Sequence, residues 1–133
     1  DWSSDVCSSD LYLSEFRYAW NNDDLSSTTS MLSPRAVVRL PWDVPAVGKT
    51  DAALSLERLM PKVGALQMSI LDFDISERIS FALGRYALET GDQFVTGYYT
   101  AVIQLQDEGP QLTALLFSGA GANAAVTEEL SGR

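Results

Sequence analysis

Residues 65–118 read as four strands in succession, and this constrains the fold more than any other feature of the chain. The segments 65–75, 78–89, 94–106 and 111–118 are rich in β-branched, aromatic and alternating residues. Turn signals separate them at Ser76-Glu77, Gly91-Asp92 and Asp107-Glu108-Gly109. Strands this long, joined by turns this short, pair with their immediate successors and make an antiparallel meander. In the third of them Tyr99, Ala101, Ile103 and Leu105 share one face, while Tyr98, Thr100, Val102, Gln104 and Gln106 share the other. The second face is amphipathic rather than fully polar. Apolar sheet area of that kind is met by another protein surface, most simply a twofold copy, so a homodimer is expected. The plainer alternative is that scattered surface Tyr and Val need no partner.

Helices precede this sheet. Residues 12–22 form an amphipathic helix with Leu13, Phe16, Tyr18, Ala19 and Trp20 on its apolar stripe. Asp24 is suited to cap a second short helix through Met31-Leu32, which Ser33-Pro34 ends. Residues 36–40 make a short strand stopped by Pro41. After a loop with Trp42, Asp43, Pro45 and Gly48, Thr50 caps a third helix over residues 51–60, with Ala53, Leu54, Leu56 and Met60 inward. The expected fold class is therefore α+β, a curved, cone-like antiparallel sheet packed against three N-terminal helices.

The chain has 133 residues, the size of one domain. Its net charge of −9 repels phosphate backbones and anionic headgroups, which excludes nucleic acid and the membrane surface as partners. No apolar run approaches the ~20 residues that span a bilayer, so the domain reads as soluble, with the cytoplasm as the default compartment. Histidine is absent, which removes the usual general base near neutral pH and the commonest zinc ligand. With Cys7 the only cysteine, neither an internal disulfide nor a thiolate metal cluster can form. Gly119-Ala120-Gly121-Ala122 lacks the Lys-Ser/Thr of a phosphate loop, and no metal or cofactor is expected.

Residues 1–11, Asp-Trp-Ser-Ser-Asp-Val-Cys-Ser-Ser-Asp-Leu, have neither helical periodicity nor the build of a secretory leader. They resemble, residue for residue, the translation of a sequencing-library adapter and are read as a cloning scar. On that reading Cys7 has no functional meaning and the natural N-terminus is missing. Residues 12–118 are then the domain, and the small, polar residues 119–133 a frayed tail.

Several segments resemble the SnoaL-like superfamily, which has the nuclear transport factor two fold. Phe16-Arg17-Tyr18-Ala19-Trp20-Asn21-Asn22-Asp23-Asp24-Leu25 resembles its helix ending in Asn-x-(Gly/Asp)-Asp. Residues 31–41 resemble its short strand, and Val47-Gly48-Lys49-Thr50 its Gly-(Lys/Arg) lead-in to the third helix. Residues 78–86 and 97–117 resemble its long strands. The resemblance implies the fold and leaves the reaction open, because isomerases, cyclases, dehydratases, epoxide hydrolases and non-catalytic modules all share it. In the ketosteroid isomerases of this fold an Asp moves a proton, while a Tyr and a protonated Asp hold the oxyanion. Aligned on that pattern, Phe16 stands for the Tyr, Leu40 for the base and Ala101 for the second Asp. None of the three can donate or take a proton. Scytalone-dehydratase-like chemistry needs His, and the Asp-Arg-Asp set of limonene epoxide hydrolase is not visible at matching positions.

The same alignment lines the space between helices and sheet with Phe16, Trp20, Leu40, Ala82, Gly84, Tyr86, Tyr99, Ala101, Leu115 and Phe117, and sets Trp42 at its mouth. Such a lining suits a small hydrophobic ligand. The plainer reading is that these aromatics fill the core with their hydroxyls bonded to backbone. Asp43, Tyr86 and Tyr99 are the candidate proton donors or acceptors, although Asp43 between Pro41 and Pro45 also suits a turn. Asp72 and Asp74 share one strand face near a strand end, where solvated charge is ordinary. Arg85 is expected to pair with a carboxylate across the sheet.

Overall fold

The structure, a computed structural model, describes residues 8–118. Three helices, α1 (Ser8–Asn21), α2 (Leu25–Ser30) and α3 (Lys49–Leu59), pack on a six-stranded sheet. The strands are β1 (Leu32–Arg39), β2 (Ala46–Val47), β3 (Leu66–Ser76), β4 (Ile79–Thr90), β5 (Gln93–Gln106) and β6 (Gly109–Phe117), in the spatial order β2-β1-β6-β5-β4-β3. The meander β3 to β6 forms as the turn signals require, every successive pair antiparallel.

Where strands are not consecutive the sequence expectation needs correcting. β1 lies beside β6 and runs parallel to it, so the sheet is mixed rather than antiparallel throughout. Turn chemistry fixes only neighbours in sequence and says nothing of a strand that returns after a helix. β1 is also longer than residues 36–40, beginning at Leu32 and running through Pro34. The proline is tolerated because the β1–β6 register breaks between Leu32 and Val37, where no ladder bond requires its missing N–H.

α1 begins at Ser8, within the adapter-like segment and before the expected start at Tyr12. Leu13, Phe16, Ala19 and Trp20 are buried, but Tyr18 is exposed, since a full helical period from Phe16 to Trp20 leaves it on the far side. Asp24 caps α2 as expected, its carboxylate accepting from the Ser27 N–H at 3.0 Å. α3 starts at Lys49 with Gly48 as its cap at φ +95°, so Thr50 is already inside the helix. Its inward positions are Ala52, Ser55, Leu56 and Met60, and Leu54 points to solvent. Residues 119–133, expected to be a frayed tail, and residues 1–7 of the adapter-like segment lie outside the described residues.

Candidate functional site

The residues expected to line the interior come together in one cluster. Phe16 and Trp20 descend from α1, and Leu40 follows β1. Ala82 and Tyr86 come from β4, Tyr99 and Ala101 from β5, and Leu115 and Phe117 from β6. The pairing explains the choice of residues. Ala82, Ala101 and Leu115 lie side by side across three strands, Gly84 stands opposite Tyr99, and Gly97 stands opposite Tyr86. A Cβ at Gly84 would come within 2.5 Å of the Tyr99 ring, and one at Gly97 within 2.9 Å of the Tyr86 ring. Glycine therefore makes the space in which each tyrosine lies flat against its neighbouring strand. The Tyr86 ring meets Phe117 edge-on at 4.9 Å between centroids, a favourable aromatic geometry. None of these side chains is more than 2% exposed, and Phe16, Leu40, Ala101 and Leu115 are wholly excluded from solvent.

The two phenols differ in their hydrogen bonding. Tyr86 donates to the Ser118 carbonyl at 3.2 Å, whereas the Tyr99 hydroxyl is buried with no partner among the described residues. Burial pushes both up to about 12, with the charge of Asp10 adding to the effect at Tyr99. Near neutral pH both are therefore donors. Beside Tyr99 lies a crevice of about 10 Å³ among Asp10, Leu13, Arg17, Met68 and Ile70, barely room for one water. Wider grooves lie outside the cluster, about 610 Å³ along α1 and α2 and about 500 Å³ on the outer sheet face by Gln67, Arg85 and Tyr98.

Trp42 and Asp43 stand apart from this interior. Trp42 is exposed at φ +66°, in a turn closed by the Asp43 N–H donating to the Leu40 carbonyl at 3.1 Å. Asp43 accepts from the buried Ser55 hydroxyl at 2.6 Å, from the Val44 N–H at 2.8 Å and from Arg58 at 3.1 Å. The Ser55 bond foremost, with Val44 and Arg58 behind it, holds this carboxyl below the usual carboxylate range against the opposing effect of burial. Asp43 is thus an ionised acceptor that ties the loop onto α3. Among the described residues no cluster of His, Cys, Asp and Glu could hold a metal, and no helix is long and apolar enough to cross a membrane.

One residue carries a role the sequence reading missed. The Asn21 side chain accepts from the Leu66 N–H at 2.7 Å and donates to the Leu66 carbonyl at 3.0 Å. It behaves as one residue of an extra strand, pinning the end of α1 to the edge strand β3. The Asn-x-Asp-Asp ending of the helix was its signal in the sequence.

The outer face of the sheet is the other feature of note. Phe81 and Leu83 of β4, Tyr98 of β5 and Leu116 of β6 are 47%, 46%, 52% and 37% exposed. The pairing sets Thr100 between Leu83 and Leu116, and Val102 beside Phe81, so these side chains form a continuous surface across three strands. Arg85 does not meet a carboxylate across the sheet as expected; its guanidinium lies 5.8 Å from the centre of the Tyr98 ring.

This architecture is that of the NTF2-like and ketosteroid isomerase-like proteins. An NTF2-like protein of unknown function from Shewanella oneidensis MR-1 matches at TM-score 0.70 and 18% identity, over 80% of this chain and 93% of that one. A ketosteroid isomerase-like protein from Erwinia carotovora atroseptica matches at TM-score 0.69 and 15% identity, over 85% and 94% of the two chains. An LEH-like epoxide hydrolase from M. tuberculosis matches at TM-score 0.61 and 19% identity, over 80% and 74%. At these identities the likeness is one of fold. No family model matches the chain, and no curated protein matches it in sequence.

Proposed function

We propose that the chain is a non-catalytic NTF2-like domain that pairs with a second copy of itself through the outer face of its sheet. The observation that carries this reading is the continuous exposed surface of Phe81, Leu83, Tyr98 and Leu116. Contiguous apolar surface on a sheet whose other side carries the core is a mark of an interface. The interior supports the absence of catalysis, because Phe16, Leu40 and Ala101 fill positions that the family resemblance gives to proton-handling groups. The measurement is sedimentation equilibrium across a wide concentration range. A monomer–dimer equilibrium that Leu83→Ser shifts toward monomer is expected, and a chain that stays monomeric throughout would overturn the reading.

A second reading, a domain that binds a small hydrophobic molecule or acts on it as a lyase or isomerase, is favoured by the Tyr99 hydroxyl. It is a buried donor without a partner, beside a crevice under α1, and a ligand oxygen would satisfy it. The ketosteroid isomerase-like and epoxide hydrolase neighbours add weight by fold alone. With the interior side chains so fully packed, such a ligand enters only by parting α1 from the sheet. Thermal-shift screening of hydrophobic ligands tests this, since a native-state ligand raises the melting temperature.

A further inference from the structure

The outer face carries charge as well as apolar surface, and its charges are arranged for a particular partner. Arg85 lies on this face beside Tyr98, and the ion pairs of the described residues, Arg58–Asp43 and Arg78–Asp107, leave it without a carboxylate. Asp72 and Asp74 lie on the same face, opposite Leu83 and Phe81 respectively, and they too lack a basic partner.

Their position has a cause in the backbone. Leu66, Met68 and Ile70 of β3 pack toward the core, and strict alternation would send residues 72 and 74 the same way. The β3–β4 register shifts between Ile70 and Asp72, and the extra residue, Leu71, turns both carboxylates outward. Phe73 and Ile75 take the inner positions instead, opposite Ala82 and Ser80.

Along β4 the sequence Arg85, Leu83, Phe81 steps down the face at about 7 Å per pair of residues. A cation therefore stands at one end of the apolar surface, and carboxylates stand toward the other. A twofold axis lying between two such faces and crossing β4 at the level of Leu83 sets Arg85 of one copy over the Phe81 level of the other, one strand's width from its Asp74. An axis halfway from Leu83 to Arg85 sets it by Asp72 instead. With the first axis the apolar row from Leu83 through Thr100 to Leu116 meets its own copy, and with the second it meets the row of Arg85 and Tyr98.

Resting on the dimer reading above, we propose that the partner on this face is a second copy of the chain, held in register by Arg85 of each subunit against the Asp72–Asp74 carboxylates of the other. Each chain carries a net charge of −9, so two copies repel overall, and a cation set against carboxylates offsets that repulsion where the surfaces touch. The ion pairs fix orientation and partner choice, and the apolar row supplies the burial.

Sedimentation equilibrium on the full chain and two charge-reversed variants tests the proposal. Arg85→Glu alone, and Asp72→Lys with Asp74→Lys, each weaken self-association by about tenfold or more, because each homodimer then opposes like charges. An equimolar mixture of the two variants recovers association, since every contact in the mixed dimer joins opposite charges; this recovery also shows that both variants fold. Variants that dimerise as tightly as the wild type, or a mixture that fails to recover while the wild type dimerises, would overturn the ion-pair assignment and leave the dimer reading intact. A monomeric wild type would overturn both.

Discussion

The two faces of strand β4 come from one stretch of sequence and meet opposite environments. Ser80, Ala82, Gly84, Tyr86 and Leu88 point into the space covered by the helices and are buried, while Phe81, Leu83 and Arg85 between them point away and are exposed. Both sets are largely apolar. The inner set is accounted for by the fold, since its contacts form the core that orders the chain. The outer set stays about half exposed, with Phe81 at 47% and Leu83 at 46%. Hydrophobicity alone therefore does not mark the core of this protein, since an apolar face of the same strand lies outside it.

The sharpest way to break this comparison is to remove a large side chain from each face. Phe117→Ala, at the centre of the inner cluster, is expected to lower the unfolding free energy in urea by about 3–5 kcal/mol. Leu83→Ala, measured at concentrations where monomer dominates, is expected to change it by no more than about 0.5 kcal/mol. Equal losses would mean that the outer face is part of the folding core. A pH titration comes next in size. Unfolded tyrosines release their protons near pH 10, whereas Tyr86 and Tyr99 hold theirs to about 12 in the fold. Their folded values being raised, the stability they contribute is complete below pH 10 and is lost as pH climbs from 10 to 12. The loss is about 2–3 kcal/mol for each, at about 1.4 kcal/mol per unit. Urea melts across that range should show this decline in the wild type and less of it in Tyr86→Phe.

The smallest effect separates the two phenols. Tyr86→Phe removes a hydrogen bond to the Ser118 carbonyl and is expected to cost about 1 kcal/mol at neutral pH. Tyr99→Phe removes a hydroxyl that has no partner and is expected to leave stability unchanged or raise it slightly. A clear loss at Tyr99 would instead show that its hydroxyl is engaged in solution, which favours the ligand-binding reading.

Much of this fold was legible in the chain. The meander was readable because turn residues fix the pairing of successive strands, and the faces of β5 were readable because Tyr99, Ala101 and Ile103 alternate with a more polar, amphipathic set. The parallel placement of β1 was not, since no local signal records which edge a strand joins after an intervening helix. Tyr18 and Leu54 were misplaced because hydrophobic character was weighed ahead of helical phase. The outward turn of Asp72 and Asp74 depends on one extra residue at Leu71, which no composition signal marks. Most of the residues that the family resemblance sets around the interior meet in the buried core and Trp42 does not, whereas the Asn21 clamp and the loop-tying role of Asp43 depend on partners far away in sequence.

The parallel ladder between β1 and β6 has a consequence for how the chain is made. β1 leaves the ribosome early, yet β6, which lies beside it in the sheet, is the last of the six described strands to follow. Until that strand emerges, Val38 and Leu40 have only helices and the two-residue β2 to shelter them, and the nascent chain carries an unfinished apolar seam. Completion of the sheet is thus deferred until β6 emerges, and a polypeptide cut short before Phe117 would leave both β1 and β5 without that neighbour.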